Sequence, residues 1–497
     1  MMKFKVKDMD IHTGGTLIAI LNEKDARELD IYSSDRIVVK YGNRKITCIL
    51  DISESQRAVP EGHIGLMEEV LDKLCLLKGK CLIRGALVDV SPNGKPESVK
   101  HIRDKLHGKE LSYEELYHIV DDITNDRLTD IEKTYFVAAG FTHGFSNEEI
   151  VHLTRAMVYT GSRLKFGKIT LDKHCVGGVP GNRTTMLVIP IIAAVGFTIP
   201  KTSSRAITSP AGTADTMECL AKVELTEKMI KEVVRKTGAC IVHGGSMNLA
   251  PADDKIIDIE HPLSIDAEGQ LLASVMAKKY SVTANHVLID IPMGKSTKAT
   301  TKREARHLKR MFEMLGKSLE MDVKVVITDG SHPIGNGVGP LLEARDVMAV
   351  LHNDPLAPQD LREKALDMAG ILLEMAGSYR DGRKVAEEIL ATGKALKKME
   401  EIINAQGRQQ KSELGSYRSE IHALRTGKIN EIDNEIIAKL ARLAGAPKDK
   451  GAGLYLHKRI HDYAEKGEIL YTLYAESKFK LDSAKELARE NNGYVIK

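Results

Sequence analysis

The chain lacks features that mark disulfide, metal and nucleic-acid proteins. None of its six cysteines lies in a C-x-x-C pair, and they are scattered among apolar stretches, as reduced core thiols are. We therefore expect no disulfide framework and no metal site. Lys+Arg 72 nearly balance Asp+Glu 69, and no long basic run is present. A nucleic-acid partner is not expected, and any bound anion should be small.

Long hydrophobic runs are also missing. The longest, Met186 to Pro200, is too short to span a bilayer and is interrupted by Pro190 and Gly196. The N-terminal M-M-K-F-K-V-K-D has no apolar signal-peptide core. No membrane partner is expected, and we expect a cytoplasmic location. The length of 497 residues suggests two to four domains, and a hydrophobic fraction of 42% is ample for their cores.

The first part of the chain changes from strand to helix periodicity. Alternating runs and one short helix, E-K-D-A-R-E-L-D-I, predict a small β-rich, barrel-like domain over residues 1–92. The stretch Ser91 to Glu97 collects two prolines and a glycine and is interpreted as a linker. A helical domain is predicted over residues 97–165, with a second part at about 250–282. Capping boxes are predicted at Ser112 with Glu115 and at Ser146 with Glu149.

From Lys168 onward, strands alternate with helices. This pattern predicts an α/β domain with a mixed, mostly parallel sheet and helices on both faces, over residues 168–248 and 284–415. Residues 416–497 return to a small α+β pattern. Ligands of such sheets bind at the carboxyl ends of the strands.

Two glycine-rich loops follow strands of this sheet, K-H-C-V-G-G-V-P-G-N-R-T-T from Lys173 and S-S-R-A-I-T-S-P-A-G-T from Ser203. Glycines let backbone N–H groups approach an anion, while cations and hydroxyls add donors. We predict that the loops form one cradle for a phosphate. The donors are Lys173, Gly177, Gly178, Gly181, Arg183, Thr184 and Thr185 in the first loop, and Ser203, Ser204, Arg205, Thr208, Ser209 and Thr213 in the second.

Other interpretations of these residues stay open. The first loop alone also fits a structural strand-to-helix turn. A Walker P-loop does not match, because Gly177 to Gly181 is one residue short and Asn182 precedes an arginine rather than a lysine. His174 is either a general acid or a hydrogen-bonded turn residue. Cys175 is either a reactive thiolate or, since no paired base is evident, a small packed donor.

A downstream helix offers a second group of candidates. Apolar residues at helical spacing, from Leu271 to Met276, predict its buried face. Ser274 and Lys278 then share a polar face one turn apart. Asp266 precedes the helix and is a candidate acid, whereas Lys278 equally fits a solvated surface lysine.

Both loops resemble the thymidine phosphorylase family in the stretches D-K-H-C-V-G-G-V-P-G-N-R-T-T-M and K-T-S-S-R-A-I-T-S-P-A-G-T-A-D-T-M-E. The resemblance covers nearly the whole chain and points to the long branch of AMP phosphorylases and type 2 thymidine phosphorylases. It implies phosphorolysis, in which phosphate attacks the sugar C1′ and the base leaves. The implied catalytic residues are Asp266 and Lys173; the implied phosphate ligands are Lys173, Cys175, Gly177, Gly178, Thr185, Ser203 and Thr213; the implied substrate contacts are Gly178, Ser204, Arg205, Ala206, Ile207, Thr208, Ser209, Thr213, Ser274, Lys278 and Lys298.

Different features of the motifs favour different substrates. Short thymidine phosphorylases carry an arginine near residues 259–261, where this chain has I-E-H, which disfavours thymidine. The motif with Lys173 resembles the type 2 thymidine phosphorylases, whereas Arg205, Thr208 and Ser209 are placed where AMP phosphorylases contact nucleotide. Thymidine is ranked first, a nucleoside 5′-monophosphate second, and a non-catalytic nucleotide sensor is the third hypothesis. The resemblance implies homodimers through the helical domain, allows larger assemblies, and implies no metal or organic cofactor besides phosphate.

Overall fold

The computed structural model describes residues 1–78, 81–83, 85–206, 209–245, 249–263, 265, 267–377, 379–410 and 412–497. Its contacts divide the chain into two compact units. One comprises Met1–Thr160 with Ala252–Gln270, and the other Gly161–Pro251 with Leu271–Lys497. None of the described helices has the length and apolar character needed to cross a membrane.

The first unit begins with a closed six-stranded barrel, which confirms the predicted barrel-like domain. Its elements are β1 (Met2–Asp8), β2 (Ile18–Asn22), α1 (Glu23–Glu28), β3 (Arg36–Tyr41), β4 (Arg44–Ser53), β5 (His63–Leu66), α2 (Glu68–Leu74), β6 (Leu77–Lys78), β7 (Cys81–Leu82) and β8 (Leu87–Asn93). The strands close in the order β1-β5-β2-β4-β3-β8. Alternate side chains point inward, so Phe4, Leu21 and Leu50 are buried in its core.

The linker prediction is wrong for its first three residues. Strand β8 continues to Asn93 and pairs with β3, with Pro92 opposite Ile37. Proline cannot donate to a sheet, but near the end of a strand few ladder bonds are lost. A composition rich in proline and glycine therefore did not locate the end of the barrel.

Four helices follow in the same unit: α3 (Glu97–Leu106), α4 (Tyr113–Thr124), α5 (Asp130–His143) and α6 (Asn147–Tyr159). Both predicted capping boxes are confirmed, at Ser112 and Ser146. A third joins Thr129 to Glu132 at the start of α5. Each box satisfies backbone N–H groups that a helix start leaves unpaired, which fixes where these helices begin.

A buried ion pair joins α3 to α6. The Nζ of Lys105 lies 2.7 Å from each carboxylate oxygen of Glu149, and both side chains are nearly fully buried. Glu149 also accepts hydrogen bonds from the backbone N–H groups of Leu111 and Ser146. Because each oxygen of this carboxylate accepts two hydrogen bonds, the pair fixes the packing of three segments of the bundle.

A parallel sheet forms the centre of the second unit. The next elements along the chain are β9 (Leu171–Cys175), α7 (Thr184–Val195), β10 (Ile199–Ser203), α8 (Thr213–Glu218), α9 (Glu227–Thr237), β11 (Ala239–His243), α10 (Pro251–Leu263), α11 (Glu268–Ser281), β12 (His286–Met293), α12 (Lys302–Ser318), β13 (Asp322–Asp329), β14 (Gly337–Val338), α13 (Pro340–Leu351), α14 (Gln359–Met375), α15 (Gly382–Ala391) and α16 (Lys394–Gln406). The division between the units falls within α11.

The sheet order is β13-β12-β9-β10-β11, with a parallel bridge between Thr170 and Thr198 joining its two parts. All of these pairings are parallel, so the α/β prediction is confirmed. Helix α7 is apolar on nearly all sides and is buried from Thr184 to Ala193 against α14 and α16. The strand order reverses at β9, since the chain continues to β10 on one side and later adds β12 on the other.

The C-terminal region has two small antiparallel sheets, as the predicted α+β pattern requires. Its elements are β15 (Tyr417–His422), β16 (Gly427–Ile432), α17 (Asn434–Leu443), β17 (Gly453–Leu456), β18 (Tyr463–Ala464), β19 (Ile469–Ala475), α18 (Lys478–Glu490) and β20 (Tyr494–Ile496). One sheet has the order β14-β17-β19-β15 and the other β18-β16-β20. Through β14, the α/β region and the C-terminal region share a sheet.

We predict that Glu149→Gln destabilises the protein strongly. The change keeps the shape but leaves the buried Lys105 ammonium without its counter-charge, which typically costs about 3–5 kcal/mol of unfolding free energy. Denaturant unfolding followed by circular dichroism measures it. The control is Glu148→Gln, whose side chain is 82% exposed and should change the free energy by less than about 0.5 kcal/mol. Equal effects of both variants would contradict the role of the pair.

Candidate active site

The first glycine loop leaves the sheet at the strand where the sheet order reverses. In open α/β sheets ligands bind in the crevice at such a reversal, outside the carboxyl ends of the strands. Lys173 and Cys175 lie near the carboxyl end of β9, and Asp290 is the register partner of Cys175 on β12. Lys173, Cys175 and Asp290 therefore share one face of the sheet, because side chains alternate along a strand.

On this face one carboxylate faces two ammonium groups. Oδ2 of Asp290 lies 3.6 Å from Nζ of Lys173 and 2.9 Å from Nζ of Lys364, and Thr328 donates a hydrogen bond to Oδ1. Lys173 is fully buried, yet its Nζ has no hydrogen-bond partner among the described residues. Burial lowers the pKa of Lys173, and Asp290 opposes that shift. The ammonium group is therefore held in place with its donors unused.

The opposite face of β9 repeats the arrangement. Oδ1 of Asp172 lies 3.3 Å from Nζ of Lys201, and its Oδ2 lies 3.2 Å from Nζ of Lys279. All three side chains are buried. Burial lowers the pKa of Lys201 to about 7, although the carboxylate of Asp172 opposes the shift. Taken together, the two faces place lysines in excess of aspartates around β9, a charge balance that favours a bound anion.

The glycines of the first loop adopt the backbone conformations that the prediction needed. Gly177, Gly178 and Gly181 have φ of +98°, +96° and +76°. A Cβ at Gly181 would overlap the carbonyl oxygen of Ile334, so only glycine fits there. The loop ends at α7, whose N-terminal N–H groups have no side-chain cap. Such a helix start is suited to hold an anion, and the buried Thr185 lies in its first turn.

The second loop presents fewer unused donors than its sequence suggested. Oγ of Ser203 is buried without a hydrogen-bond partner in the described part of the chain, and Thr213 begins α8 half-buried. Oγ of Ser209 donates to the carbonyl of Ala211, while Ser204 is exposed. Ile207 and Thr208 lie outside the described residues.

Arg205 is held by acids of its own neighbourhood. Its guanidinium pairs with Asp215, Glu218 and Glu224, at 3.2, 2.8 and 2.8 Å. The hydrogen bonds to Glu218 are the main reason that the pKa of Arg205 is raised above its ordinary value. Asp215 also accepts the backbone N–H of Ala206. In this arrangement Arg205 organises the loop, and its predicted contact with substrate stays a prediction.

A buried glutamate connects the two loops, and the sequence analysis missed it. Arg183 pairs through Nε with Glu343 of α13 and donates from Nη2 to the carbonyl of Ala211 in the second loop. Glu343 is fully buried and also accepts a hydrogen bond from Thr216 of α8, at 3.0 Å. Arg183, which was predicted to face phosphate, instead joins the loops through Glu343.

The predicted base-binding residues lie on helix α11. Ser274 and Lys278 are half-buried one turn apart on α11, while Leu272 and Met276 are buried as predicted. Lys298 is exposed in the segment between β12 and α12. The predicted acid, Asp266, lies outside the described residues.

The surroundings of His174 and Cys175 favour the uncharged form of each side chain. Burial, followed by nearby lysines, lowers the pKa of His174 well below its ordinary value, which disfavours the protonated imidazole that a general acid needs. Burial raises the pKa of Cys175, and its Sγ accepts a hydrogen bond from Nδ2 of Asn182 at 3.4 Å. Cys175 is therefore a neutral, packed thiol rather than a reactive thiolate.

The matching family models define the class of protein. Residues 99–161 match the glycosyl transferase family, helical bundle domain, and residues 167–396 match the glycosyl transferase family, a/b domain. Residues 428–495 match the pyrimidine nucleoside phosphorylase C-terminal domain. Anthranilate phosphoribosyltransferase from Thermus thermophilus shares the fold, with a TM-score of 0.52 at 19% identity over 62% of this chain and 99% of that one.

Curated relatives share nearly the full length of the chain. AMP phosphorylase 1 of Archaeoglobus fulgidus is 44% identical over 97% of this chain and 95% of its own length. AMP phosphorylase of Pyrococcus furiosus is 45% identical over 98% and 96%. A Legionella pneumophila (strain Paris) protein named "Putative thymidine phosphorylase" is 43% identical over 93% and 88%. The chain therefore belongs to the thymidine phosphorylase and AMP phosphorylase family, as the resemblance of the loops predicted.

We predict that Gly181→Ala destabilises the protein more than Gly177→Ala. Both glycines have positive φ, which costs an L-residue about 1–2 kcal/mol. Only at Gly181 does the added Cβ also meet backbone, whereas nothing lies within 4 Å of it at Gly177. We expect about 1–3 kcal/mol of further loss for Gly181→Ala. Urea unfolding without phosphate measures both, and equal losses would show that the loop does not pack against Ile334.

Proposed function

We propose that the protein catalyses the reversible phosphorolysis of thymidine, or of a related pyrimidine nucleoside, to the free base and a pentose 1-phosphate. The observation that supports this most directly is the buried ammonium of Lys173, without a hydrogen-bond partner among the described residues, beside a glycine loop and an uncapped helix start. A fixed cation with unused donors is suited to hold a phosphate. The relatives named as phosphorylases support the reaction type.

In the proposed reaction a phosphate oxygen attacks the sugar C1′ as the bond from C1′ to the base nitrogen breaks. The transition state resembles an oxocarbenium ion, so an anion held below C1′ stabilises it. Lys173, Thr185, Ser203 and Thr213 hold the phosphate, with Cys175 as a neutral neighbour. Ordering both substrates removes much of the entropic barrier. Phosphate is the nucleophile and the base is the leaving group, so we propose that no metal or organic cofactor takes part.

The negative charge on the leaving base needs compensation as well. We propose that Ser274 and Lys278 bind a pyrimidine and stabilise its anion. A purine leaves more readily when it is protonated, and Asp266 is the proposed proton donor in that case.

An AMP phosphorylase is the second candidate, with ribose 1,5-bisphosphate as its sugar product. It is favoured by identities of 44% and 45% to two proteins named as AMP phosphorylases. A 5′-phosphate would have to be bound by the second loop and by Lys298. Because three carboxylates already hold Arg205, that side chain has little capacity left for another anion, which is why thymidine keeps the first rank.

We further propose that the enzyme is a cytoplasmic homodimer that associates through its helical domain. The support is the family resemblance, together with the absence of a disulfide pattern from the cysteine spacing. A non-catalytic nucleotide sensor is the remaining alternative, and it would bind ligand without releasing base.

The reaction and its substrate are tested by measuring phosphate-dependent release of base from thymidine, uridine, AMP, CMP and UMP. We expect thymidine to be the best substrate. Lys173→Met should lower turnover by at least about tenfold, since it removes a charge-assisted contact to the reacting anion. It should also abolish stabilisation by phosphate, which amounts to about 2.7 kcal/mol at a hundredfold excess over Kd. The control is Lys295→Met, whose side chain is 85% exposed.

The outcomes of that experiment distinguish the candidate functions and test the role of Lys173. Release from AMP alone would establish the second candidate. Ligand-induced stabilisation without release from any substrate would favour the sensor. Equal activity of Lys173→Met and Lys295→Met would remove Lys173 from the phosphate site.

The two proposed ways of stabilising the base are separated by Asp266→Asn and Lys278→Ala. On a purine nucleotide, Asp266→Asn should reduce turnover by roughly 10²- to 10⁴-fold, the usual contribution of general acid catalysis. On thymidine, Lys278→Ala should be the more damaging change, since the anion loses its cation. Equal and mild effects on every substrate would place the base pocket elsewhere.

A further inference from the structure

The helical domain contains a cluster of potential metal ligands remote in sequence from both glycine loops. Glu97 and His101 lie one turn apart on α3, and His118 lies on the neighbouring α4. One ligand atom from each of the three lies within 4.8 Å of the others. The rings of His101 and His118 stack with centroids 5.8 Å apart. Two imidazoles and a carboxylate are a donor set that suits a first-row transition metal.

His101 supplies a second, independent observation. It is only 6% exposed, and neither of its ring nitrogens has a hydrogen-bond partner among the described residues. A buried polar group without a partner costs about 1–3 kcal/mol, so such groups generally have an ion or another unseen partner. The imidazole therefore lies in the cluster with its binding capacity unused.

A neighbouring set of acids does not compete for the same role. His101 also lies near Asp104 and Glu115, but Nζ of Lys109 lies 3.3 Å and 3.1 Å from those carboxylates. Glu115 accepts the backbone N–H of Ser112 as well, and this hydrogen bond is the main cause that lowers its pKa to about 2. Both acids already share the ammonium group of Lys109, which leaves Glu97, His101 and His118 as the candidate ligands.

Glu115 is placed to orient the imidazole ring of His101. Its Oε1 lies 3.6 Å from Nδ1 of His101, just beyond hydrogen-bond distance. Metal-binding histidines usually direct their second nitrogen towards a carboxylate, which fixes the tautomer. Nε2 of His101 is then the nitrogen left for a metal.

We propose that Glu97, His101 and His118 bind one Zn²⁺ or a similar divalent transition metal, with water completing its coordination. Glu97 and His118 are exposed in the single chain, so the ion reaches the site from solvent there. Glu97 is the first residue of α3, and the ion connects the start of this helix to α4. The site is structural, and the sugar-transfer reaction does not use it.

The test is a calorimetric titration of the full-length, tag-free, chelator-treated protein with Zn²⁺ in a phosphate-free buffer. The visible absorption of Co²⁺ gives an independent readout of its ligands. We expect one ion per chain, with His118→Ala and Glu97→Gln each weakening binding at least about tenfold. Both residues are exposed, so neither change should prevent folding. The control is His107→Ala, an exposed histidine just after α3 that lies outside the cluster.

The proposal is supported if binding is lost or weakened in the two cluster variants and kept in His107→Ala. It is overturned if the unaltered protein binds no Zn²⁺, if His118→Ala and Glu97→Gln bind it as tightly as the unaltered protein does, or if the Co²⁺ spectrum shows thiolate ligation. The readouts do not depend on phosphorolysis, so they stand whatever the substrate of the enzyme is.

Discussion

The structure around the sheet edge depends on the cost of burying charge. Strand β9 carries Asp172 and Lys173 side by side, and their buried side chains point to opposite faces of the sheet. On one face Asp172 is shared between two lysines, and on the other Asp290 is shared between Lys173 and a second lysine. A buried charge without an opposite charge beside it lowers the stability of a fold. A bound anion is the partner that would complete the charge balance of this arrangement.

The glycine loops have a different constraint, which is shape rather than charge. Gly181 must approach Ile334 closely, and Gly178 leaves no room for a Cβ beside Thr297. The buried Glu343 then fixes the first loop against the second through Arg183 and Thr216. The geometry of the candidate site therefore comes from packing that involves α13, far along the chain from either loop.

Much of this could be predicted from the sequence, because its signals are local. Capping boxes and the alternation of strands with helices depend on neighbouring residues, and both were confirmed. Asp290, Lys364 and Glu343 were missed, since their partners lie far away along the chain. One signal was available: an aspartate within the apolar strand H-V-L-I-D-I-P, where a charge needs a buried partner. Counting donors in the sequence overestimated how many groups of the second loop are available for an anion. Arg205 pairs instead with three acidic residues that follow it in the chain.

The depressed pKa values of the buried lysines couple ligand binding to protons. Burial lowers the pKa of Lys173, on the face of β9 that it shares with Cys175, and lowers the pKa of Lys201 on the opposite face. An anion bound beside Lys173 would raise the pKa of that lysine again, so its binding would take up protons from the solvent. The heat of such a binding reaction would then contain the ionisation enthalpy of the buffer, and binding of the anion at this sheet edge would at the same time be a protonation reaction.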